Sequence, residues 1–282
     1  MSWESGALLR IGPWTLAAAS LLAACTTTTT TSTGSGVPTT TTSSGGTRDR
    51  VTASDETDAH RRARVRMELA AAYFGRGQLS TALDEVKLAI AADPNYPAAY
   101  NLRGLIYASL GDDNLAEESF RRALQLDPRD ADTMQNFGWY LCQRNRFGEA
   151  DAMFRQALAV PQYRDSPRTL LTQGACQARG GQWSQAEGTL LRSYELDPSN
   201  PTTSFNLAEV LYRRGEYERA RFYIRRVNGN ADLVSAQTLW LAARIEHRIG
   251  NLQGARDFGV QLRNRFPKSS EAAAFEQGRF DD

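Results

Sequence analysis

The side chains that most often carry out protein chemistry are few in this sequence, with three cysteines and two histidines among 282 residues. The cysteines are Cys25, Cys142 and Cys176, and the histidines are His60 and His247. Neither histidine stands beside a cysteine or serine in a nucleophile motif, and no glycine-rich phosphate loop is present. We therefore predict a protein that is not an enzyme, with no catalytic residue, no metal site and no cofactor.

The charge balance is nearly even, since 33 lysines and arginines face 32 acidic residues. Only Lys87 and Lys268 are lysines, and the remaining basic residues are arginines. A net charge of +1 does not favour a phosphate backbone as the partner. We expect neither a nucleic acid nor a small-molecule substrate.

An apolar stretch at residues 11–24 has the length of a signal-peptide core and is too short to span a bilayer. It ends in Leu22-Ala23-Ala24-Cys25, which resembles the lipobox of bacterial lipoproteins. The resemblance implies that residues 1–24 are removed and that Cys25 is lipidated. Thr26 stands where an aspartate would signal inner-membrane retention, so the implied location is the periplasmic face of the outer membrane. The alternative is an ordinary signal peptide with a chance cysteine.

Residues 26–47 are almost entirely threonine, serine and glycine, and the polar composition continues to residue 62. A segment of this kind has too little apolar surface to build a core. We predict that residues 25–62, which include His60, form the lipidated cysteine and a disordered tether.

From residue 63 onward the sequence repeats at a period near 34 residues. Each copy predicts a helix, a turn and a second helix that carries Ala-x3-Phe-x2-Ala or a close variant, often followed by Asp-Pro. The second copy is the clearest and contains Gly104, Ala116, Phe120, Ala123 and Pro128. This pattern resembles tetratricopeptide (TPR) repeats, which implies an all-α, right-handed superhelix over residues 63–268. The six predicted repeats are about 63–96, 97–130, 131–166, 167–200, 201–235 and 236–268, followed by a C-terminal tail at 269–282.

A TPR superhelix has a concave groove lined mainly by the first helix of each repeat. In the first three repeats, the predicted groove residues are mostly apolar: Met67, Ala71, Phe74, Asn101, Leu105, Ala108, Gln135 and Trp139. Asn101 and Gln135 would hydrogen-bond a peptide, and the apolar remainder suits a helix or strand from a partner protein. The alternative is that these residues pack between repeats. The corresponding later residues are more polar: Phe205, Glu209, Tyr212, Trp240 and Arg244.

Cys142 and Cys176 fall on the first helices of the third and fourth predicted repeats, at nearly equivalent heights. Neighbouring helices of this kind bring such positions to the separation that a disulfide requires. We predict a disulfide in an oxidising compartment, and two buried thiols are the alternative.

Several strings resemble the PilW/PilF family of type IV pilus biogenesis proteins. The strings are Gln-Asn-Phe-Gly-Trp-Tyr-Leu-Cys at 135–142, Gly-Ala-Cys at 174–176, Leu-Tyr-Arg-Arg-Gly-Glu-Tyr at 211–217 and Gln-Leu-Arg-Asn-Arg-Phe-Pro at 261–267. The resemblance implies a pilotin, which binds the pilus secretin and helps it reach the outer membrane and form its multimeric ring. A general periplasmic TPR adaptor for outer-membrane protein assembly or cell-wall complexes is the alternative.

Overall fold

The computed structural model describes residues 57–280, which form thirteen α-helices and no β-strand. The predicted signal peptide, Cys25 and most of the predicted tether lie outside the described residues. The helices are α1 (Asp58–Gly75), α2 (Leu79–Ala92), α3 (Pro97–Leu110), α4 (Asp113–Leu126), α5 (Ala131–Gln143), α6 (Phe147–Leu158), α7 (Ser166–Arg179), α8 (Trp183–Leu196), α9 (Pro201–Arg213), α10 (Tyr217–Asn228), α11 (Ala236–Ile249), α12 (Leu252–Arg265) and α13 (Ser270–Glu276).

The first twelve helices pack as consecutive pairs, so that each pair is one repeat. We call the first helix of each pair helix A and the second helix B. Each helix A also contacts helix A of the next pair, from α1 and α3 through to α9 and α11. Recurrent contacts of this kind place the A helices on the inner, concave side. The predicted right-handed TPR superhelix is confirmed.

The helix B termini at Asp-Pro sequences share one turn. Asp93, Asp127 and Asp197 follow the last residues of α2, α4 and α8 and adopt a non-helical conformation. In each case, the carboxylate accepts a hydrogen bond from the backbone N–H two residues later, at 2.9, 2.9 and 3.2 Å. The proline prevents the helix from continuing, and the aspartate satisfies a donor in the turn.

The first helix begins earlier than the sequence predicts, because α1 starts at Asp58 and not at residue 63. The Thr57 side chain accepts a hydrogen bond from the His60 N–H at 3.1 Å and caps the helix. The His60 Nδ1 atom lies 2.7 Å from Asp93 Oδ2, which holds the first turn of α1 against the end of α2. The assignment of residues 58–62 and His60 to the tether is therefore wrong. Their polar composition resembles that of the tether, although they form the capped first turn of α1.

The predicted C-terminal tail is also partly helical. Within α13, Ala272 is 2% exposed and packs with Leu239 of α11 and Leu262 of α12. Phe275 lies over Gly259, where an added Cβ would be 1.9 Å from the phenylalanine ring. The short helix thus covers the apolar end of the array, where a further repeat would otherwise pack.

The second, third and fourth repeats each bring a glycine of helix A against a large side chain of helix B. A Cβ on Gly104 would lie 2.8 Å from the Phe120 ring, and one on Gly138 would lie 2.9 Å from the Phe154 ring. On Gly174, a Cβ would lie 2.6 Å from Leu190 Cγ. Glycine is needed at these positions because a methyl group would displace a fully buried neighbour.

The fourth repeat offers a paired test of this packing. We expect Gly174→Ala to lower the free energy of unfolding by about 1–3 kcal/mol, because the new methyl group overlaps Leu190. Gly188→Ala should instead raise it by about 0.5–1 kcal/mol, since Gly188 lies inside α8 with nothing near its missing Cβ. Urea denaturation of both variants measures the two changes. A loss of stability of the same size in both would contradict the packing argument.

Candidate protein-binding grooves

The concave surface of the first three repeats is formed by α1, α3 and α5. We call it the front groove and define it by the residues predicted from the sequence: Met67, Phe74, Asn101, Leu105, Gln135 and Trp139. Successive members lie one or two turns apart on each helix A, which aligns them along one face.

The apolar members of the front groove are only partly covered. Met67 and Phe74 are half-buried against the core between α1, α2 and α3. Leu105 is half-buried against the core between the second and third repeats. Trp139 is 38% exposed. An indole with this much exposure on a concave surface can bury a large apolar area against a ligand.

The polar members behave differently from the prediction. Gln135 is only 7% exposed, so its assignment as a ligand-binding side chain is not supported by its position. Asn101 is half-buried, and its Oδ1 atom accepts a hydrogen bond from Asn136 Nδ2 at 3.2 Å. Asn101 uses its carbonyl oxygen in this bond, so its NH2 group stays available to a ligand. The structure therefore adds Asn136 to the polar residues beside the front groove. Sequence spacing did not predict it, because it stands one position after the predicted residue Gln135.

A disulfide lies beside the front groove. Cys142 of α5 and Cys176 of α7 are bonded, with their Cα atoms 5.9 Å apart. Both residues are buried. The bond joins the A helices of the third and fourth repeats, across the turn at Pro161 and Gln162 where two residues are inserted. It therefore holds α5, which carries Trp139, against the next repeat.

The concave surface of the fifth and sixth repeats forms a second, more polar groove. We call it the rear groove and define it by Phe205, Glu209 and Tyr212 on α9 with Trp240 and Arg244 on α11. The Arg244 guanidinium lies 4.6 Å from the centroid of the Tyr212 ring and 5.9 Å from that of Trp240. Such cation–π contacts order the arginine over the aromatic face. Unlike the front groove, this surface is in contact with the C-terminal segment through Phe280.

Glu209 has an unusual environment in the rear groove. Its burial raises the pKa of the carboxyl above its usual range, and the nearby Arg213 and Arg244 oppose the shift without cancelling it. A raised pKa in the folded state means that protonation favours folding. The stability that the protonated Glu209 carboxyl contributes is fully present below the unfolded-state pKa, and it is lost as the pH rises through the folded-state pKa.

We accordingly expect Glu209→Gln to raise the melting temperature more at pH 7 than at pH 4. Burial disfavours the ionised carboxylate, which is favoured more at pH 7 than at pH 4, so the neutral amide removes a larger cost at pH 7. Circular dichroism melts at both pH values measure the difference. Glu195→Gln, at an exposed site on α8, is the control. An equal effect of Glu209→Gln at both pH values would contradict the prediction.

The described part of the chain contains no cluster of three or more histidine, cysteine or acidic side chains that could hold a metal ion. Between residues 57 and 280, no helix has the length and apolarity needed to cross a bilayer. The remaining histidine, His247, lies on α11 in the rear groove.

Comparison with known proteins agrees with the repeat architecture. Tetratricopeptide repeat models match residues 97–130, 131–160 and 177–232. The type IV pilus assembly protein PilF of Pseudomonas aeruginosa is 26% identical over 211 residues, which cover 74% of this chain and 83% of PilF. The crystal structure of PilW, a widely conserved type IV pilus biogenesis factor, is similar with a TM-score of 0.70 and 33% identity, over 76% of this chain and 97% of PilW. The solved structure of Pseudomonas aeruginosa PilF shares the fold, with a TM-score of 0.68 and 24% identity.

The paired helices and their concave grooves define a TPR protein, a class whose members bind other proteins. The chain belongs to the PilW/PilF family of type IV pilus biogenesis proteins, since it covers almost all of PilW at 33% identity.

Proposed function

We propose that this protein is an outer-membrane lipoprotein that acts as the pilotin of a type IV pilus secretin. In this role, it binds the secretin through the front groove and promotes both its outer-membrane localisation and its multimerisation. The observation that carries the proposal is an uncharged, half-exposed concave groove on a chain of the type IV pilus biogenesis family.

The chemistry of the front groove supports an apolar protein segment as its ligand. Trp139 supplies an exposed ring, while Met67, Phe74 and Leu105 supply half-buried apolar surface. Each square ångström of apolar surface buried contributes about 25 cal/mol, so a short amphipathic helix or strand can gain several kcal/mol here. The Asn101 NH2 group can fix the register of such a segment through one hydrogen bond.

The distribution of lysines argues against a groove that clamps a carboxylate. Lys87 lies on α2, which is a helix B, and Lys268 follows α12. Neither residue belongs to a helix A. The front groove therefore suits an internal apolar segment of the secretin better than a charged chain end.

The lipid anchor is the second part of the proposal. The Leu22-Ala23-Ala24-Cys25 sequence supports acylation of Cys25, and several acyl chains on one residue give firm membrane attachment, at about 0.8 kcal/mol per buried CH₂. An anchored groove would bind the secretin at the membrane where the ring assembles.

The test is the state of the secretin in cells that lack this protein. Membrane fractionation and unheated gels measure where the secretin is and how much forms the stable multimer. We expect the deletion to lose the outer-membrane multimer, and the wild-type gene to restore it. Cys25→Ala and Leu105→Glu should each fail to restore it, because they remove the anchor and place a charge in the front groove.

A matched control separates groove binding from general damage. Leu88→Glu makes the same change at an exposed position on α2, a helix B, and should restore the multimer fully. Because Leu105 also contacts the core, Trp139→Glu serves as a second groove variant, and circular dichroism confirms the folding of both. Survival of the multimer in the deletion strain would overturn the pilotin proposal and favour a general periplasmic adaptor for outer-membrane protein assembly or cell-wall complexes.

A further inference from the structure

The C-terminal segment continues beyond α13 into the rear groove. After Glu276, the chain reverses at Gly278, which adopts a positive φ of 66°. Phe280 then lies against α9 and α11, and its ring also contacts that of Phe275 on α13. We call residues 277–280 the C-terminal hook, to distinguish it from α13.

The rear groove holds the hook by a backbone carbonyl. Tyr212 Oη donates a hydrogen bond to the Phe280 carbonyl oxygen at 3.3 Å, and Arg244 Nε donates to the same oxygen at 3.1 Å. Two donors from different repeats thus converge on one main-chain acceptor. Every amino acid has this acceptor, so the same pair of donors can bind a segment of another protein.

The groove also provides a stacking site for one aromatic side chain. The His247 ring lies parallel to the Phe280 ring, with an interplanar angle of 6° and a centroid distance of 4.2 Å. Trp240 is on the same helix as His247, and the centroid of its ring lies 5.3 Å from that of the Phe280 ring. Aromatic side chains gain from such arrangements beyond their simple burial, so this part of the groove selects an aromatic residue.

The hook and α13 are held in different ways. Ala272 and Phe275 of α13 are packed into the end of the array, against Leu262 and Gly259. Phe280 remains half-exposed and is held at the surface of the groove. In addition, the buried Nδ1 atom of His247 has no hydrogen-bond partner among the described residues, so the hook does not satisfy the whole site. The hook is also linked to α13, by a hydrogen bond from the Arg279 N–H to the Ala274 carbonyl at 3.0 Å and by the Phe275–Phe280 ring contact at 5.9 Å. A ligand that replaces the hook would break these links but would leave the packing of Ala272 and Phe275 at the end of the array in place.

The charge of the surrounding surface adds one further preference. Arg213 and Arg244 lie on the A helices of the fifth and sixth repeats, and Glu209 is the one acidic member of the rear groove. Because two arginines outnumber the one partly buried carboxyl, the groove favours a ligand with acidic residues next to the aromatic side chain that stacks on His247. In this chain, the sequence after Phe280 is Asp281-Asp282.

We propose that the rear groove is a second peptide-binding site, distinct from the front groove. It binds an extended segment of a partner protein that presents an aromatic side chain next to acidic residues. The hook occupies this site within the chain until the partner segment replaces it.

The experiment uses a labelled peptide with the sequence Glu-Gln-Gly-Arg-Phe-Asp-Asp, which corresponds to residues 276–282. Fluorescence polarisation measures its binding to full-length chains that carry Cys25→Ala. We expect the peptide to bind at least tenfold more tightly to the Phe280→Ala protein than to the protein with Phe280, because the substitution opens the site. Replacing the phenylalanine of the peptide with alanine should weaken binding at least tenfold.

Two further variants locate the binding. In the Phe280→Ala protein, Tyr212→Phe removes only the hydroxyl donor and should weaken binding about two- to tenfold. Phe222→Ala is the matched control for Phe280→Ala, because Phe222 is an exposed phenylalanine on α10, outside the groove, and should produce no gain.

Three outcomes would overturn the proposal. One is that the peptide binds the proteins with and without Phe280 equally, or binds neither. Another is that the alanine peptide binds as well as the original, which would show that the groove does not select an aromatic residue. The third is that Phe280→Ala lowers the helical content measured by circular dichroism, because the hook would then be a permanent part of the fold. None of these outcomes bears on the secretin test of the front groove.

Discussion

Replacement of Phe120 with alanine is expected to lower the free energy of unfolding by about 3–5 kcal/mol. Phe120 is 0% exposed and lies beneath Gly104 of its own repeat. Its ring is also 5.3 Å from that of Phe137 and 5.7 Å from that of Tyr140, both in the third repeat. The substitution removes packing within the second repeat and across its junction with the third. Rigid helices on both sides limit the collapse of the resulting cavity.

The position of Phe120 predicts a further effect on cooperativity. Stability in a repeat protein is approximately the sum of repeat and interface contributions, so a weak interface can divide the array. The tryptophans within the described residues are Trp139, Trp183 and Trp240, all in the third to sixth repeats. We expect urea denaturation of Phe120→Ala to show loss of helix by circular dichroism before the tryptophan fluorescence changes. Phe222→Ala, at a residue that is 55% exposed, should change stability by less than about 1 kcal/mol and keep the two transitions together. A single coincident transition for Phe120→Ala would show that the first two repeats do not unfold separately.

The repeat architecture could be predicted from the sequence because its determinants are local and periodic. Gly104 and Phe120 recur 34 residues later as Gly138 and Phe154, and the structure places each glycine against the phenylalanine of the same repeat. The Asp-Pro positions likewise fix the ends of α2, α4 and α8. The atoms closest to each glycine belong to the large helix B side chain of the pattern, which stands four residues after its first alanine.

The two ends of the array were harder to predict, because neither follows the repeat. Residues 58–62 have a polar composition that resembles the preceding tether, and only the Thr57 cap and the His60–Asp93 contact reveal the helix start. The C-terminal helix α13 has seven residues and no counterpart elsewhere in the period. The hook depends on contacts between Phe280 and residues 36 and 68 positions earlier, which no local pattern reports.

The groove could be predicted only at the level of helix faces. Periodicity placed Asn101 with Leu105 on one face of α3 and Gln135 with Trp139 on one face of α5, because residues four apart on a helix share a face. It could not show that Gln135 is covered in the folded array, or that Asn136 reaches Asn101 on the preceding helix A. The burial of a groove side chain depends on how closely neighbouring repeats approach each other. Side chains on other helices set this distance.

The second large effect concerns the disulfide between Cys142 and Cys176. We expect the double substitution Cys142→Ala and Cys176→Ala to lower the free energy of unfolding by roughly 3–4 kcal/mol. The two residues are 34 positions apart, and closing a loop of this length removes substantial conformational entropy from the unfolded chain. The bond also joins α5 to α7 across the two inserted residues, where the regular repeat spacing is interrupted. Its loss should therefore weaken the junction between the third and fourth repeats more than the repeats themselves.

Urea denaturation of oxidised proteins that carry Cys25→Ala measures this effect without interference from the lipidation site. Adding a reducing agent should reproduce the loss in the protein with both cysteines and should not change the double variant further. If reduction and double substitution each change the free energy of unfolding by less than about 1 kcal/mol, the two residues act as buried thiols and not as a crosslink. In that case, the rigidity of α5, and with it the position of Trp139 in the front groove, would depend on packing alone. A loss of the expected size would instead make the front groove sensitive to the redox state of its compartment, because the bond lies directly beside it.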